Sequence, residues 1–334
     1  MPRFAEFCAG IGGFRIGLER IDGWECVYTN EIDERCQITY RDNFNEDFSS
    51  TDIFEIDVSQ LPDFDVLCAG FPCQSFSIAG KREGFEDPRG QVFFKLEEII
   101  ENKNPSVIFL ENVANLVRHN RGETFGYIKK SLKRLGYKVS HNILDSSYFG
   151  VPQKRPRVYI VAFRYDINSN EFEITERVTN RTTFREFINH GDNSIPISDK
   201  WQTYIDLYTG NIDIEDVDFE VPKTRKKLER IGSNVDLNDC IFQIRSSGIR
   251  AVSIDEPLPT FAVSNSGGGA MIPVYSRERR HLNLTEMKRI MGFPDEFIFT
   301  VARTHAIKQL ANAVCPPVIT SIGRDIDIIL NNQE

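Results

Sequence analysis

The sequence predicts an α/β protein: an open, largely parallel sheet with helices on both faces, joined to a smaller β-rich region. Three observations carry this prediction. Short apolar runs alternate with helical runs through the first half of the chain, as βαβ units require. The run Asp65-Val66-Leu67-Cys68-Ala69 is stopped by Gly70 and Pro72, and Cys73 follows at once. Near Asp166 the character changes to a polar, acidic stretch, followed by short alternating runs rich in turn residues. In open α/β sheets ligands bind beyond the carboxyl ends of the strands, so the polar residues at those tips are the candidates for chemistry.

The first predicted strand, Arg3–Cys8, leads through Ala9-Gly10-Ile11-Gly12-Gly13 into a helical run, Phe14–Ile21. Strand, glycine turn and helix together can cradle a nucleotide, because glycines let backbone N–H groups approach a ligand at a helix N-terminus. The spacing G-x-G-G differs from the dinucleotide fingerprint and could simply make a tight turn. A second strand, Glu25–Thr29, ends at Asn30-Glu31-Ile32-Asp33, with Glu31 placed where an acid can hold ribose hydroxyls; Glu31 or Asp33 could instead cap the helix Glu34–Asn43. A third predicted strand, Phe54–Val58, puts Asp57 at its tip, in a position suited to an adenine edge.

A cysteine at a strand tip gains exposure and backbone N–H neighbours that can lower its pKa and make it a nucleophile; taken alone, the Pro-Cys pair favours an inert loop thiol at Cys73. The glycine-rich segment Ser75–Gln91 reads as a loop able to close over a ligand. Helix Val92–Asn102 and strand Ser106–Leu110 then lead to Glu111-Asn112-Val113, one βαβ unit after Cys73. A desolvated carboxylic acid at Glu111 could protonate a ring nitrogen, or it could cap the next helix. The basic face of the helix near Thr124–Leu135 reads as solvated surface. Gln153-Lys154-Arg155-Pro156-Arg157 precedes the strand Val158–Phe163, and its two arginines could hold a carbonyl or a phosphate.

Past Asp166 no chemistry can be placed until the runs Phe242–Arg245, Ile249–Val252 and Thr260–Val263, with a Ser/Gly loop at 264–269. Arg245 and Arg250 beside Gln243 could read base edges in a groove, or could be surface charge. From Arg277 the chain is expected to be helical again, over Arg277–Leu282 and Thr285–Met291. The closing helix Val318–Leu330 has apolar spacing that should pack it against the first domain.

Composition bounds the reading. The chain has 334 residues, 40% hydrophobic and 27% charged, with a net charge of −9. That charge argues against a nucleic-acid partner until its distribution is examined: residues 166–222 hold 13 acids against 4 bases, whereas 240–312 hold 9 bases against 6 acids. A basic face is therefore available. Seven cysteines without a C-x-x-C pair suggest neither a disulfide framework nor a zinc site, and no metal is expected. No apolar run approaches a bilayer span and no signal peptide is evident, so a cytoplasmic protein without membrane contact is expected.

Taken together, the blocks A-G-I-G-G, T-N-E-I-D, G-F-P-C-Q-S-F-S, E-N-V, Q-K-R-P-R-V, R-H-L-N-L-T-E-M-K-R-I-M-G-F-P and Q-L-A-N-A-V, in this order, resemble the C5-cytosine DNA methyltransferases, especially the short single-chain enzymes of bacterial restriction–modification systems. The resemblance implies the Rossmann-like fold of S-adenosylmethionine-dependent methyltransferases with a target-recognition domain at 167–276. It divides the rest into a catalytic and cofactor-binding domain at 1–166, a hinge at 277–308 and a returning helix at 309–334. It implies that S-adenosyl-L-methionine is held by Phe7, Cys8, Gly10, Ile11, Gly12, Gly13, Asn30, Glu31, Ile32, Asp57, Val58, Gly70, Pro72, Asn312 and Val314. Cys73 would attack C6 of a flipped-out cytosine, Glu111 would hydrogen bond or protonate N3, and Gln74, Arg155 and Arg157 would complete the catalytic group. Ser77, Lys81, Asn112, Arg245 and Arg250 would touch double-stranded DNA.

The expected assembly is a monomer, with a cognate restriction endonuclease as a further partner. One departure is visible: the family places phenylalanine, stacked on adenine, where this chain has Cys8. The branch of the fold that methylates transfer RNA carries a C-F-T in its recognition region, which is not found here. A catalytically inactive DNA-binding homologue is a further alternative, disfavoured by the intact Cys73, Gln74, Glu111 and Arg157.

Overall fold

Five-residue runs such as Val66-Leu67-Cys68-Ala69-Gly70 have no polar side chain to leave in water, so they become interior strands covered on both faces. In the computed structural model, which describes residues 1–46, 48, 50–72, 91–175, 181–189, 195–245, 247–260 and 272–332, they do so. The central sheet comprises β1 (Arg3–Phe7), β2 (Glu25–Asn30), β3 (Val66–Gly70), β4 (Val107–Val113), β5 (Tyr137–Asp145) and β7 (Pro156–Arg164), in the order β2-β1-β3-β4-β7-β5. The first four run parallel; β7 is antiparallel to both β4 and β5. The chain moves outward from β1 to β2 on one side and to β3 on the other. That reversal opens a crevice beyond the carboxyl ends of β1 and β3.

Helices cover both faces. On one face α3 (Val92–Lys103) and α4 (Glu123–Arg134) bury Leu96, Ile99, Ile128 and Leu132 against Leu67, Ile108 and Ile160. On the other, α1 (Gly13–Leu18) meets the closing helix α8 (Pro316–Asn331), whose Val318, Ile319, Ile322 and Ile326 are buried with Phe14, Leu18, Trp24 and Phe109. Thr320 Oγ1 donates to the Gly17 carbonyl at 2.7 Å, and Trp24 Nε1 donates to Asp327 Oδ1 at 2.9 Å, which fixes the docking. The apolar spacing of the last helix thus does what its sequence pattern predicts. No helix among the described residues is long and apolar enough to cross a membrane.

The second sheet is built from β8 (Ile195–Pro196), β9 (Leu228–Ile231), β10 (Cys240–Arg245), β11 (Gly248–Ser253), β13 (Val274–Tyr275) and β14 (Arg280–His281), in the order β8-β14-β13-β10-β11-β9. Alternation along β10 gives it two different neighbours. Cys240, Phe242 and Ile244 pack with Trp201, Tyr204 and Ile205 of α5 (Asp199–Thr209), while Ile241 joins Met287, Ile290 and Leu310. A short parallel pair, β6 (Gln153–Lys154) with β12 (Leu258–Pro259), stitches the two regions together.

Two predicted elements are corrected. Phe54–Val58 is not a strand: Ile53–Glu55 and Val58–Gln60 are single 3₁₀ turns, capped by the side chains of Asp52 and Asp57. Arg277–Leu282 is not helical either. Arg279 adopts a left-handed backbone (φ 49°), and Arg280 enters β14 to form a buried ion pair with Glu286 of α6 (Leu284–Met291). Glu286 also closes a capping box with Asn283, so the helix starts there. The predicted run Thr260–Val263 and the 264–269 loop fall, apart from Thr260, outside the described residues.

Candidate active site

The crevice at the switch point is a cleft of about 630 Å³. Its floor is the tips of β1, β2, β3 and β4, and its far rim is α7 (Arg303–Asn312), which contributes His305, Lys308, Gln309 and Asn312.

At the β1 tip the chain must turn sharply, and Gly10 takes φ 59° while a Cβ built on it would meet nothing within 4 Å, so its backbone faces open space. Its N–H donates 2.7 Å to Glu31 Oε2, and the other Glu31 oxygen accepts from the Ile32 and Asp33 amides, both at 2.9 Å. Glu31 therefore ties the β1 and β2 tips together. Burial pushes its carboxyl above the ordinary range, and those three amides pull it back. Asn30 reaches the next segment, donating from Nδ2 to the Thr51 carbonyl at 2.8 Å. That bond brings Asp52, Ile53 and Phe54 into the cleft wall beside Cys8 and Ile32.

Several residues expected here serve behind the wall instead. Phe7 is fully buried against Tyr28 and Phe64 and does not line the cleft. Ile11 and Val58 are core. Gly12 and Gly13 are packing positions: a Cβ on Gly13 would lie 2.6 Å from Val314 Cγ2 and 2.8 Å from the Val314 carbonyl. Val314 itself supports that turn rather than lining the cleft. Asp57 is exposed, its carboxylate taken up by the Ser59 N–H and hydroxyl at 3.0 and 2.7 Å. Asp52, Ile53 and Phe54, which the sequence reading did not single out, line the cleft instead. Their signal was an acid immediately ahead of an apolar pair, a turn-capping pattern overlooked in favour of the alternation that follows.

The second half of the cleft holds Gly70, Phe71, Pro72, Glu111, Asn112, Arg155 and Arg157. Sheet register does the positioning. Gly70 pairs with Glu111 across β3 and β4, so the segment approaching Cys73 passes directly beside that acid. Asn112 Nδ2 donates to the Phe71 carbonyl at 2.7 Å, fixing the chain two residues before Cys73. Cys73, Gln74, Ser77 and Lys81 lie outside the described residues, as does nearly all of the predicted Ser75–Gln91 loop.

Glu111 is 8% exposed and faces Arg157, with Oε1 3.2 Å from Nε. Burial raises its pKa, while Arg157 and Arg155 act in the opposite sense. Arg155 is buried and donates from Nη2 to the carbonyls of Ala311 and Ala313 at 2.9 and 2.8 Å. Burial and the neighbouring Arg157 lower its pKa to about 10. Among the described residues its buried Nε and Nη1 have no hydrogen-bond partner. A desolvated acid flanked by two guanidiniums can present a proton and hydrogen-bond donors to a polar heterocycle.

Arg245 and Arg250 stand apart from this group. Both lie on one face of the β10–β11 hairpin, and both bond the same carboxylate oxygen of Glu229 at 3.3 Å.

A family model described as C-5 cytosine-specific DNA methylase matches residues 2–327. The chain belongs to the C-5 cytosine-specific DNA methylases. It is 34% identical to the Type II methyltransferase M.HhaI of Haemophilus parahaemolyticus, over 98% of this chain and 95% of that protein. It is 35% identical to M.Bsp6I of Bacillus sp. (strain RFL6), over 98% of each, and 36% identical to M.HpaII of Haemophilus parainfluenzae, over 97% and 88%. Among solved structures, the Schizosaccharomyces pombe Dnmt2 methyltransferase aligns over the whole of both chains with a TM-score of 0.71 at 17% identity, which speaks for the fold alone. A C-5 cytosine-specific DNA methylase is an enzyme, and S-adenosylmethionine use and a DNA substrate follow from membership.

The cleft fits that cofactor. Glu31, bonded to the open Gly10 turn, and Asp52 share the cleft with apolar Ile32, Ile53, Pro72 and Val92, a set suited to hydroxyl donors and a flat, weakly polar ring.

Proposed function

We propose that this methylase transfers a methyl group to C5 of a cytosine flipped out of a specific duplex site, through a bond between Cys73 and C6. The observation that carries the proposal is the buried Glu111–Arg157 pair, held in one cleft with the Gly10–Glu31 turn and with the approach to Cys73. S-adenosylmethionine supplies the electrophilic methyl group. Glu31, Asp52, Ile32 and Ile53 would hold it, with Cys8, Gly10, Asn30, Gly70, Pro72 and Asn312 close by.

C5 of cytosine is a poor nucleophile, and both C5 and C6 are unreachable for a side chain while the base is stacked. Attack of the Cys73 thiolate on C6 places electron density on the ring. Glu111, whose pKa burial raises, holds or supplies the proton at N3 that makes this attack favourable. Once C5 is methylated, loss of its proton expels Cys73 and restores the ring. Arg157 orients Glu111 and, with Arg155, offers donors to the base; Asn112 fixes the chain before the nucleophile. Gln74, Ser77 and Lys81 remain proposed contacts on the same segment.

In this reading residues 1–166 with 309–334 form the catalytic unit, 167–276 the recognition unit and 277–308 their support. The enzyme acts as a monomer, in a cytoplasmic compartment with access to DNA, and shares its site with a cognate endonuclease. Transfer of radiolabelled methyl groups to duplex DNA, but not to transfer RNA, followed by bisulfite mapping of the modified site, tests the substrate. Labelled transfer RNA with unlabelled DNA would reverse the assignment, and no transfer to either would favour an inactive homologue.

Arg245 and Arg250 are the proposed base readers, since bidentate arginine to guanine O6 and N7 is the commonest specific contact. Each retains N–H groups beyond those spent on Glu229. Arg245→Ala or Arg250→Ala is expected to relax preference at one base pair by about 1–3 kcal/mol. Identical modified sites and rates in both variants would move specificity elsewhere, with the 264–269 loop as the next candidate.

A further inference from the structure

Ile32 is 63% exposed and Phe54 is 38% exposed, yet both line the concave cleft. Large apolar side chains left open in a concavity mark a surface that a ligand covers. Two phenylalanines line this cleft among the described residues, and they differ in use. Phe71 is 3% exposed and packs on Phe93 in the core, so its ring is spoken for. Phe54 lines the cleft and is partly exposed there, on a turn held by several hydrogen bonds. Asp52 Oδ1 accepts from the Phe54 N–H at 3.1 Å, and the segment is tied to the β2 tip both by Asn30 and by the Thr51 N–H donating to the Glu31 carbonyl at 3.1 Å.

The turn faces Cys8, a small side chain in the left-handed region (φ 53°) at the end of β1. A thiol there leaves one wall of the slot without an aromatic face.

We propose that Phe54 is the aromatic contact for the adenine ring of the cofactor in this enzyme, supplied from the turn after Asp52 in place of a ring at position 8. The proposal rests on the S-adenosylmethionine reading above. A purine needs an apolar or aromatic face on its plane, and Phe54 with Ile32, Ile53 and Val92 offers one, while Glu31 and Asp52 lie beside it for the sugar hydroxyls. The two positions are alternative sources of one contact, so a ring at position 8 should matter most when the ring at 54 is gone.

Isothermal titration with S-adenosylhomocysteine tests this without turnover. Phe54→Ala is expected to raise the dissociation constant about tenfold, and Phe54→Leu, which keeps apolar bulk but not the ring, about threefold. Cys8→Phe should recover most of the loss when combined with Phe54→Ala, yet change binding less than threefold in the wild-type background. Dissociation constants within twofold of wild type for both Phe54 variants would overturn the proposal. So would a Cys8→Phe effect of equal size in both backgrounds, because the two rings would then not share a ligand face. Thermal unfolding of each variant accompanies the titration; the exposed position of Phe54 predicts unchanged midpoints, and Phe54→Leu reads the contact if the alanine variant is unstable. Wild-type protein that binds no S-adenosylhomocysteine would overturn the cofactor reading itself, an outcome distinct from normal binding that ignores Phe54.

Discussion

Duplex DNA with 5-fluorocytosine at the target position is expected to form an adduct with this methylase that survives denaturation and maps to the peptide containing Cys73. The expectation follows from one bond. Cys73 can leave C6 only if a base removes the proton from C5 after methylation. Fluorine cannot leave as a cation, so elimination stops and the protein stays attached. Stable trapping should require S-adenosylmethionine, since without methylation the addition reverses. Cys73→Ser should abolish both the adduct and turnover, because a hydroxyl, with its far higher pKa, is a much weaker nucleophile at neutral pH. The positioning supports the choice of this cysteine: Pro72 lines the cleft, the Phe71 carbonyl is held by Asn112, and Gly70 is in register with Glu111. The described cysteines are less suited. Cys26, Cys36, Cys68, Cys240 and Cys315 are buried, and burial pushes the Cys8 thiol well up. Methylation without a trapped complex, or an adduct at another cysteine, would refute the nucleophile assignment.

Glu111→Gln is expected to lower turnover by roughly 100-fold or more while leaving duplex binding nearly unchanged. The amide keeps the shape but has no acidic proton to give. The same argument sets a pH dependence. Burial raises the Glu111 pKa, so its protonated form persists to higher pH than an exposed carboxyl would allow. Single-turnover rates in wild type should therefore fall as pH rises through that raised value. Glu111→Gln should lack that alkaline limb while keeping any limb due to Cys73. Near-normal turnover in the variant would reduce Glu111 to a structural partner of Arg157.

Much of this site was legible in the sequence because buried strands announce themselves by unbroken apolar runs, and the residue after each run falls at the sheet edge. Glu31 and Glu111, which line the cleft, sit at such edges. What the sequence obscured were cases where a local or a distant partner won. Phe54-Glu55-Ile56-Asp57-Val58 alternates like a strand, but Asp52 and Asp57 each bond the backbone two residues on, and two turns result. The basic run at 277–282 looks helical until Arg280 is drawn into its buried pair with Glu286. Arg245 and Arg250 read as unattached charges because Glu229, on the neighbouring β9, becomes their partner only when the strands align. Phe7 and Cys8 illustrate a finer limit. Phe7 ends β1 in the core, whereas Cys8, one residue on in a left-handed turn, lines the cleft.

The docking of α8 on α1 has a consequence for the order in which the protein is made. Phe14, Leu18 and Trp24 leave the ribosome long before the Val318, Ile319, Ile322 and Ile326 that cover them. Until then the first helix of the cofactor-binding half has an uncovered greasy side, and the Gly13 turn lacks the Val314 that braces it. A chain ending at Cys315 should accordingly bind an apolar dye and unfold without a sharp transition, whereas a cooperative, dye-silent fragment would show that the early segment matures alone. Completion of the layer that holds the first helix is thus tied to the synthesis of α8, so a chain that stops short of it leaves that layer open.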